Sequence, residues 1–85
     1  MDDLLVDVPA ERLAAVRAGL GRLTPRETEV LKRAIAGDTA IETGRMLGIS
    51  ARTVELHRQR AMTKLGVRSL VQAVRMIALV QRSGT

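Results

Sequence analysis

Arg52, Glu55, Leu56, Gln59 and Arg60 recur at spacings of three and four residues, so a helix through them presents all five along one flank. Those groups suit the edges of nucleobases. A guanidinium fork pairs with the two acceptors of guanine, the Gln59 amide suits adenine, and the Glu55 carboxylate can accept from cytosine. Leu56 can touch a thymine methyl. Beside them, Thr53, His57, Arg58 and Lys64 are candidate contacts to phosphate, helped near Thr53 by the free N–H groups and positive dipole of the helix start. Each cation fits an ordinary solvated surface as well. His57 also fits a second role, packing between helices with a satisfied ring nitrogen.

Other chemistries find no support. Asp2 and Asp3 sit together near the start of the chain, and Ser50 and Ser69 stand where helices need caps. His57 has no nucleophile within its own turn, and no Gly-rich phosphate loop is present. Zero cysteine excludes disulfides and thiolate metal sites, and a single histidine makes structural zinc untenable. Eighty-five residues hold one small domain, without room for a catalytic cleft over its own core. We therefore expect no enzyme, metal or cofactor.

Charge is unevenly spread. Residues 1–44 carry six Lys/Arg and eight Asp/Glu, a net of −2, whereas residues 45–85 carry eight Lys/Arg and only Glu55, a net of +7. A cationic C-terminal half suits a polyanionic partner, although a solvated basic surface explains it equally. The chain lacks the roughly 18 consecutive apolar residues of a membrane span. Its start, Met1-Asp2-Asp3-Leu4, is acidic where a secretory signal is basic, which predicts a cytoplasmic location.

Helices must position these groups. Residues 1–8 have no helical period and read as a tail. Leu13, Val16, Arg17 and Leu20 follow Pro9 at helical spacing and predict a helix ending near Gly21. Thr24, Pro25 and Glu27 form a capping-box start for a second helix, with Val30, Leu31, Ala34 and Ile35 on its inner face and Gly37 at its end. Thr39 opens a short helix through Leu47. Gly48 turns the chain, Ile49 plugs inward, and Ser50 caps the helix carrying the base-matching set, with Val54, Ala61, Met62 and Leu65 facing the core and Gly66 closing it. Ser69 and Gln72 make another capping box for a last helix whose broad apolar face is Leu70, Val71, Val74, Ile77 and Ala78. Two helices joined by about three residues around Gly48 have the spacing of a unit that lays its second helix in a DNA major groove, although any small helical bundle with a tight turn has these features as well.

Without aromatic residues the core is thin, and association would support it. Ala73, Met76 and Val80 extend the apolar surface of the last helix beyond the stripe of Leu70, Val74 and Ile77. Those six residues are expected to form a symmetric dimer contact that pairs two recognition helices on an inverted repeat, the plainer alternative being a small core seen from several sides.

The blocks Leu23-Thr24-Pro25-Arg26-Glu27, Glu29-Val30-Leu31, Ala36-Gly37, Leu47-Gly48-Ile49-Ser50, Arg52-Thr53-Val54-Glu55, His57 and Lys64-Leu65-Gly66-Val67-Arg68-Ser69 resemble the LuxR/FixJ-type (GerE-type) helix-turn-helix domain of bacterial transcription regulators, over about residues 22–80. The resemblance implies four helices, of which the third reads DNA and the fourth often makes the dimer contact. It maps base reading onto Glu55, Leu56 and Gln59, and backbone contacts onto Thr53, His57 and Lys64. Arg52, Arg60 and Arg58 rest on the residues alone. One block departs from the pattern. Ala40-Ile41-Glu42-Thr43-Gly44 stands where members carry Asn-Lys-Glu-Ile-Ala, so a phosphate-contacting Lys becomes Ile41 and a core Ile becomes Thr43. Either the helix rotates to bury Ile41, or a DNA contact is missing and the core is weaker.

The expected fold is thus all-α: a four-helix LuxR-type helix-turn-helix bundle with an additional N-terminal linker helix. Residues 1–21 form the tail and linker helix, 22–82 the DNA-binding domain, and 83–85 a disordered tail. The expected function is sequence-specific transcription regulation on double-stranded DNA, as a homodimer acting in the cytoplasm on the nucleoid. RNA polymerase and a receiver domain are the further partners that the resemblance implies. The rivals are a helical module that binds a receiver or polymerase without touching DNA, and a sigma-factor-like promoter-recognition domain.

Overall fold

The computed structural model describes residues 8–83, and among them it contains five helices and no strand: α1 (Ala10–Leu20), α2 (Pro25–Ile35), α3 (Ala40–Leu47), α4 (Ala51–Leu65) and α5 (Leu70–Ser83). Of the tails expected at residues 1–8 and 83–85, residues 1–7 and 84–85 lie outside the described residues, Val8 packs against the core, and Ser83 belongs to α5.

Each start follows from local chemistry. Thr24 caps α2: its hydroxyl accepts from the Glu27 N–H at 3.1 Å, and the Glu27 carboxylate accepts from the Thr24 N–H at 2.9 Å, with Pro25 in the first turn. Thr39 and Glu42 repeat the arrangement at α3, where sequence suggested only the cap. Ser50 caps α4 by accepting from the Thr53 N–H. The Ser69 hydroxyl accepts from the Gln72 N–H at the head of α5, while the Gln72 side-chain amide oxygen takes the N–H of Arg68 instead of that of Ser69. Pro9 stands one residue outside α1, as its N-cap.

Between α3 and α4 the chain reverses in three residues. Gly48 adopts φ +72°, a left-handed conformation that other residues enter only at a cost, and the N–H groups of Gly48 and Ile49 both close onto the Gly44 carbonyl. Gly44 permits the close crossing that results: a β-carbon there would lie 2.5 Å from the Ile49 carbonyl oxygen.

The core is aliphatic. Val16 of α1, Leu31 of α2, Ala61 and Leu65 of α4, Val67, and Ala73, Met76 and Val80 of α5 form one buried cluster, with Leu13, Leu20, Leu23, Met62, Leu70 and Ile77 packed around it. Val30, Ala34 and Val54 are buried as well, whereas Ile35, expected on the inner face of α2, is 41% exposed. The helix expected as a linker is therefore packed into the core through Val16 and the buried Gly19.

The last helix turns a different face inward from the one its pattern predicts. Ala73, Met76 and Val80 are buried in the protomer's own core, so they cannot meet a partner, and their assignment to a dimer contact is corrected. Val71, expected inside, is 80% exposed, and Val74 is 40% exposed.

Candidate nucleic-acid interface

One outer face of α4 carries the whole base-matching set. Val54, Ala61 and Leu65 bury the opposite stripe, so at about 100° per residue Arg52, Glu55, Leu56, Gln59 and Arg60 project from the far side of the helix. All five are exposed. Leu56 remains 45% exposed although it is apolar, and it floors a shallow depression shared with Gln59, Arg60, Thr63 and Lys64. Thr63 was missed by the sequence reading. It lies four residues after Gln59 and seven after Leu56, so helical counting places it on the same ridge.

Thr53, His57 and Lys64 are half-buried along one edge of this face. Thr53 is tied to the cap: the Ser50 hydroxyl donates to the Thr53 hydroxyl at 2.8 Å, and the Thr53 N–H donates to the Ser50 oxygen at 3.0 Å. The Nδ1 atom of His57 is buried without a hydrogen-bond partner, so packing with that nitrogen satisfied is not what its surroundings provide.

Arg58 and Lys64 differ from the simple expectation. Arg58 is four residues after Val54 and three before Ala61, which puts it beside the inward stripe. It is half-buried there, and its Nε and one terminal nitrogen are buried without partners. It does not share the edge formed by Thr53, His57 and Lys64. The Lys64 ammonium is engaged within the protein, 2.7 Å from Glu27 Oε1 and 3.3 Å from the Arg22 carbonyl. Glu27 is buried, and the Lys64 hydrogen bond, followed by that from the Thr24 N–H, holds its carboxyl below the usual carboxylate range. Glu42 is lowered in the same direction, mainly by the Thr39 N–H.

The departing block on α3 does not take the first of its two alternatives. The helix does not rotate to cover Ile41, which is 57% exposed, and Thr43 occupies the buried position with no accessible surface. The Thr43 hydroxyl has no hydrogen-bond partner in the protein. Arg45, one turn after Ile41, is exposed, as is Met46.

A second surface lies between α1, α2 and α5. Leu20, Leu23, Leu31 and Ile35 face Val74, Ile77 and Ala78 across an apolar groove of about 420 Å³, rimmed by Lys32 and Gln81. Of the six residues expected at a dimer contact, Val74 is exposed and Leu70 and Ile77 are half-buried. Among the described residues no helix is long and apolar enough to cross a membrane.

Comparison with known proteins places these features. The profile of the family described as bacterial regulatory proteins, luxR family, matches residues 21–77. The transcriptional regulatory protein TdiR of Thauera aromatica is 46% identical over 59% of this chain and 22% of its own length. The transcriptional regulatory protein FixJ of Rhizobium meliloti is 43% identical over 72% of this chain and 30% of its own length. The response regulatory protein YgeK of Escherichia coli, whose own function is uncharacterised, is 33% identical over 82% of this chain and 48% of its own length. The chain thus spans less than half the length of these relatives. No solved structure matches it significantly.

Proposed function

The chain belongs to the luxR family of bacterial DNA-binding transcription regulators, and we propose that it reads duplex DNA by laying α4 in the major groove. The observation that carries this is the outer face of α4, where Arg52, Glu55, Leu56, Gln59 and Arg60 stand exposed on a helix capped by Ser50 and buried along its opposite stripe. Thr63 extends the same ridge. Thr53 and His57 face the phosphates along its edge, with the amino end of α4 beside them. The protein acts in the cytoplasm on chromosomal DNA. Recruitment or obstruction of RNA polymerase follows from where the site lies, and a receiver domain fits the response-regulator relatives as the source of control.

Dimerisation is proposed through the part of α5 that the core leaves uncovered. Val71, Val74 and Ala78, with the half-buried Leu70 and Ile77, supply that surface. Such a contact places two copies of α4 on one side of the duplex and calls for an inverted repeat.

Selection of bound duplexes from a random library, followed by sequencing, tests the proposal. An enriched inverted repeat is the expected result, and Gln59→Ala should erase preference at one position per half-site, a loss of about 1–3 kcal/mol. Affinity should fall by about three to five orders of magnitude between 50 and 200 mM salt if 6–10 phosphates are contacted. No retention of any duplex at low salt would overturn DNA binding and favour the protein-interaction module.

A further inference from the structure

We propose that Lys64 positions the recognition helix and does not neutralise a DNA phosphate. The inference rests on α4 being the helix that reads DNA, and it assigns its far end a different task. Two reciprocal bonds close that end. The Lys64 ammonium donates to the Arg22 carbonyl at 3.3 Å, and the Arg22 guanidinium donates back to the Lys64 carbonyl at 3.2 Å. The second bond satisfies one of the carbonyls that a helix C-terminus leaves without an intrahelical partner.

Glu27 anchors the clasp. Its Oε1 accepts from Lys64 at 2.7 Å and from the Thr24 N–H at 2.9 Å, so a single buried oxygen fixes both the start of α2 and the end of α4. Backbone contact tightens the same point from another side. A β-carbon on Gly19 of α1 would collide with the Lys64 carbonyl group and press on the Leu65 α-carbon. Helix α1, the loop at Arg22, the cap of α2 and the last turn of α4 therefore meet at one residue.

The lever explains why this end matters. The Ser50 end of α4 is held by its cap and by the Gly44 crossing, so a loosened clasp lets the helix swing about that end; Arg60 lies 10 residues after Ser50, about 15 Å along the helix, and a tilt of about 5° moves it by about 1.3 Å. A shift of that size spoils the geometry of a bidentate base contact. Two of the three N–H groups of the ammonium are already committed, to Glu27 and to the Arg22 carbonyl, and its charge is paired with a buried carboxylate.

The two roles predict opposite signs for Glu27→Gln. If Lys64 contacted phosphate, removing the competing carboxylate would free the ammonium and tighten binding. If Lys64 positions α4, the same change weakens binding. Glutamine preserves the capping box, which keeps the variant folded. The experiment is equilibrium binding of a library-selected duplex between 50 and 200 mM salt, for the wild type, Glu27→Gln, Lys64→Met and the double variant, with helicity followed by circular dichroism.

The expected result is a loss of about tenfold for each single variant and no further loss in the double, as for partners in one network. The dependence of log K on log salt should keep the wild-type slope. Tighter binding by Glu27→Gln, or a slope reduced by about 0.9 in Lys64→Met, would overturn the positioning role while leaving DNA binding intact. A wild type that retains no duplex would instead remove the reading on which the inference rests.

Discussion

Thr43 offers the sharpest test of how this sequence departs from its family pattern. Its side chain has no accessible surface, and its hydroxyl meets no partner in the protein. Burying an unpaired hydroxyl costs about 1–3 kcal/mol by the measure of protein substitutions. Thr43→Val keeps the branched shape and replaces the hydroxyl with a methyl, and valine and threonine have similar helix propensity. The change should therefore raise stability by about 1–2 kcal/mol, which for a domain of this size is a rise of roughly 5–15 °C in Tm. Thr43→Ser retains the hydroxyl and loses the methyl, so it should fall below the wild type. Urea and thermal unfolding followed by far-ultraviolet circular dichroism, without DNA, give all three values. The order valine above threonine above serine is expected. A valine variant no more stable than the wild type would mean that the hydroxyl is satisfied and the reasoning is wrong.

Three further outcomes follow from the same geometry. Ile41→Lys should tighten binding to every duplex alike and steepen the salt dependence by about 0.9 in log–log slope, because Ile41 already projects into solvent at the position where the family pattern carries a phosphate-contacting Lys; unchanged slopes would place that turn of α3 away from the backbone. Gly44→Ala should destabilise the domain by about 1–2 kcal/mol in urea titration, since overpacking against the Ile49 carbonyl exceeds the gain in helix propensity. For Glu27 and Glu42 the folded carboxyls are held below their ordinary value of 4.5, so their contribution to stability is fully present above pH 4.5 and is lost as pH falls through the lowered values. Urea midpoints measured down that range should decline less in Glu27→Gln than in the wild type.

What could be read directly was whatever depends on neighbours in the chain. Thr24, Ser50 and Ser69 announce helix starts because a capping hydroxyl reaches an N–H only two or three residues on, and Gly48 announces the turn because few other residues tolerate its φ. The ridge from Arg52 to Arg60 was legible for the same reason, as helical spacing alone puts those residues together. Arg58 could have been placed by the same counting, since it stands between Val54 and Ala61 on the inner side. The orientation of α5 could not. Leu70, Val71, Ala73, Val74, Met76, Ile77, Ala78, Leu79 and Val80 give it apolar residues on every side, and only tertiary packing, chiefly against α1 and also against α2 and α4, decides that Ala73, Met76 and Val80 turn inward. The Lys64–Glu27 pair joins residues 37 apart, beyond any local pattern.

These two kinds of legibility have a common cause in the division of labour on α4. Its structural constraints sit on one stripe and at its two ends: Val54, Ala61 and Leu65 in the core, the Ser50 cap beside the Gly44 crossing, and the Lys64 clasp. None falls on the outer ridge. Exposed substitutions away from caps and cores usually change stability by no more than about 0.5 kcal/mol, so Arg52, Glu55, Gln59 and Arg60 can be exchanged at little cost to the fold. A frame held from behind and at both ends can therefore present different base contacts without being rebuilt. The same division accounts for why the outer ridge reports what kind of ligand is read, whereas the frame reports how the reader is held. Ile41 and Thr43 divide along the same line, one side chain turned to solvent and the other buried in the frame.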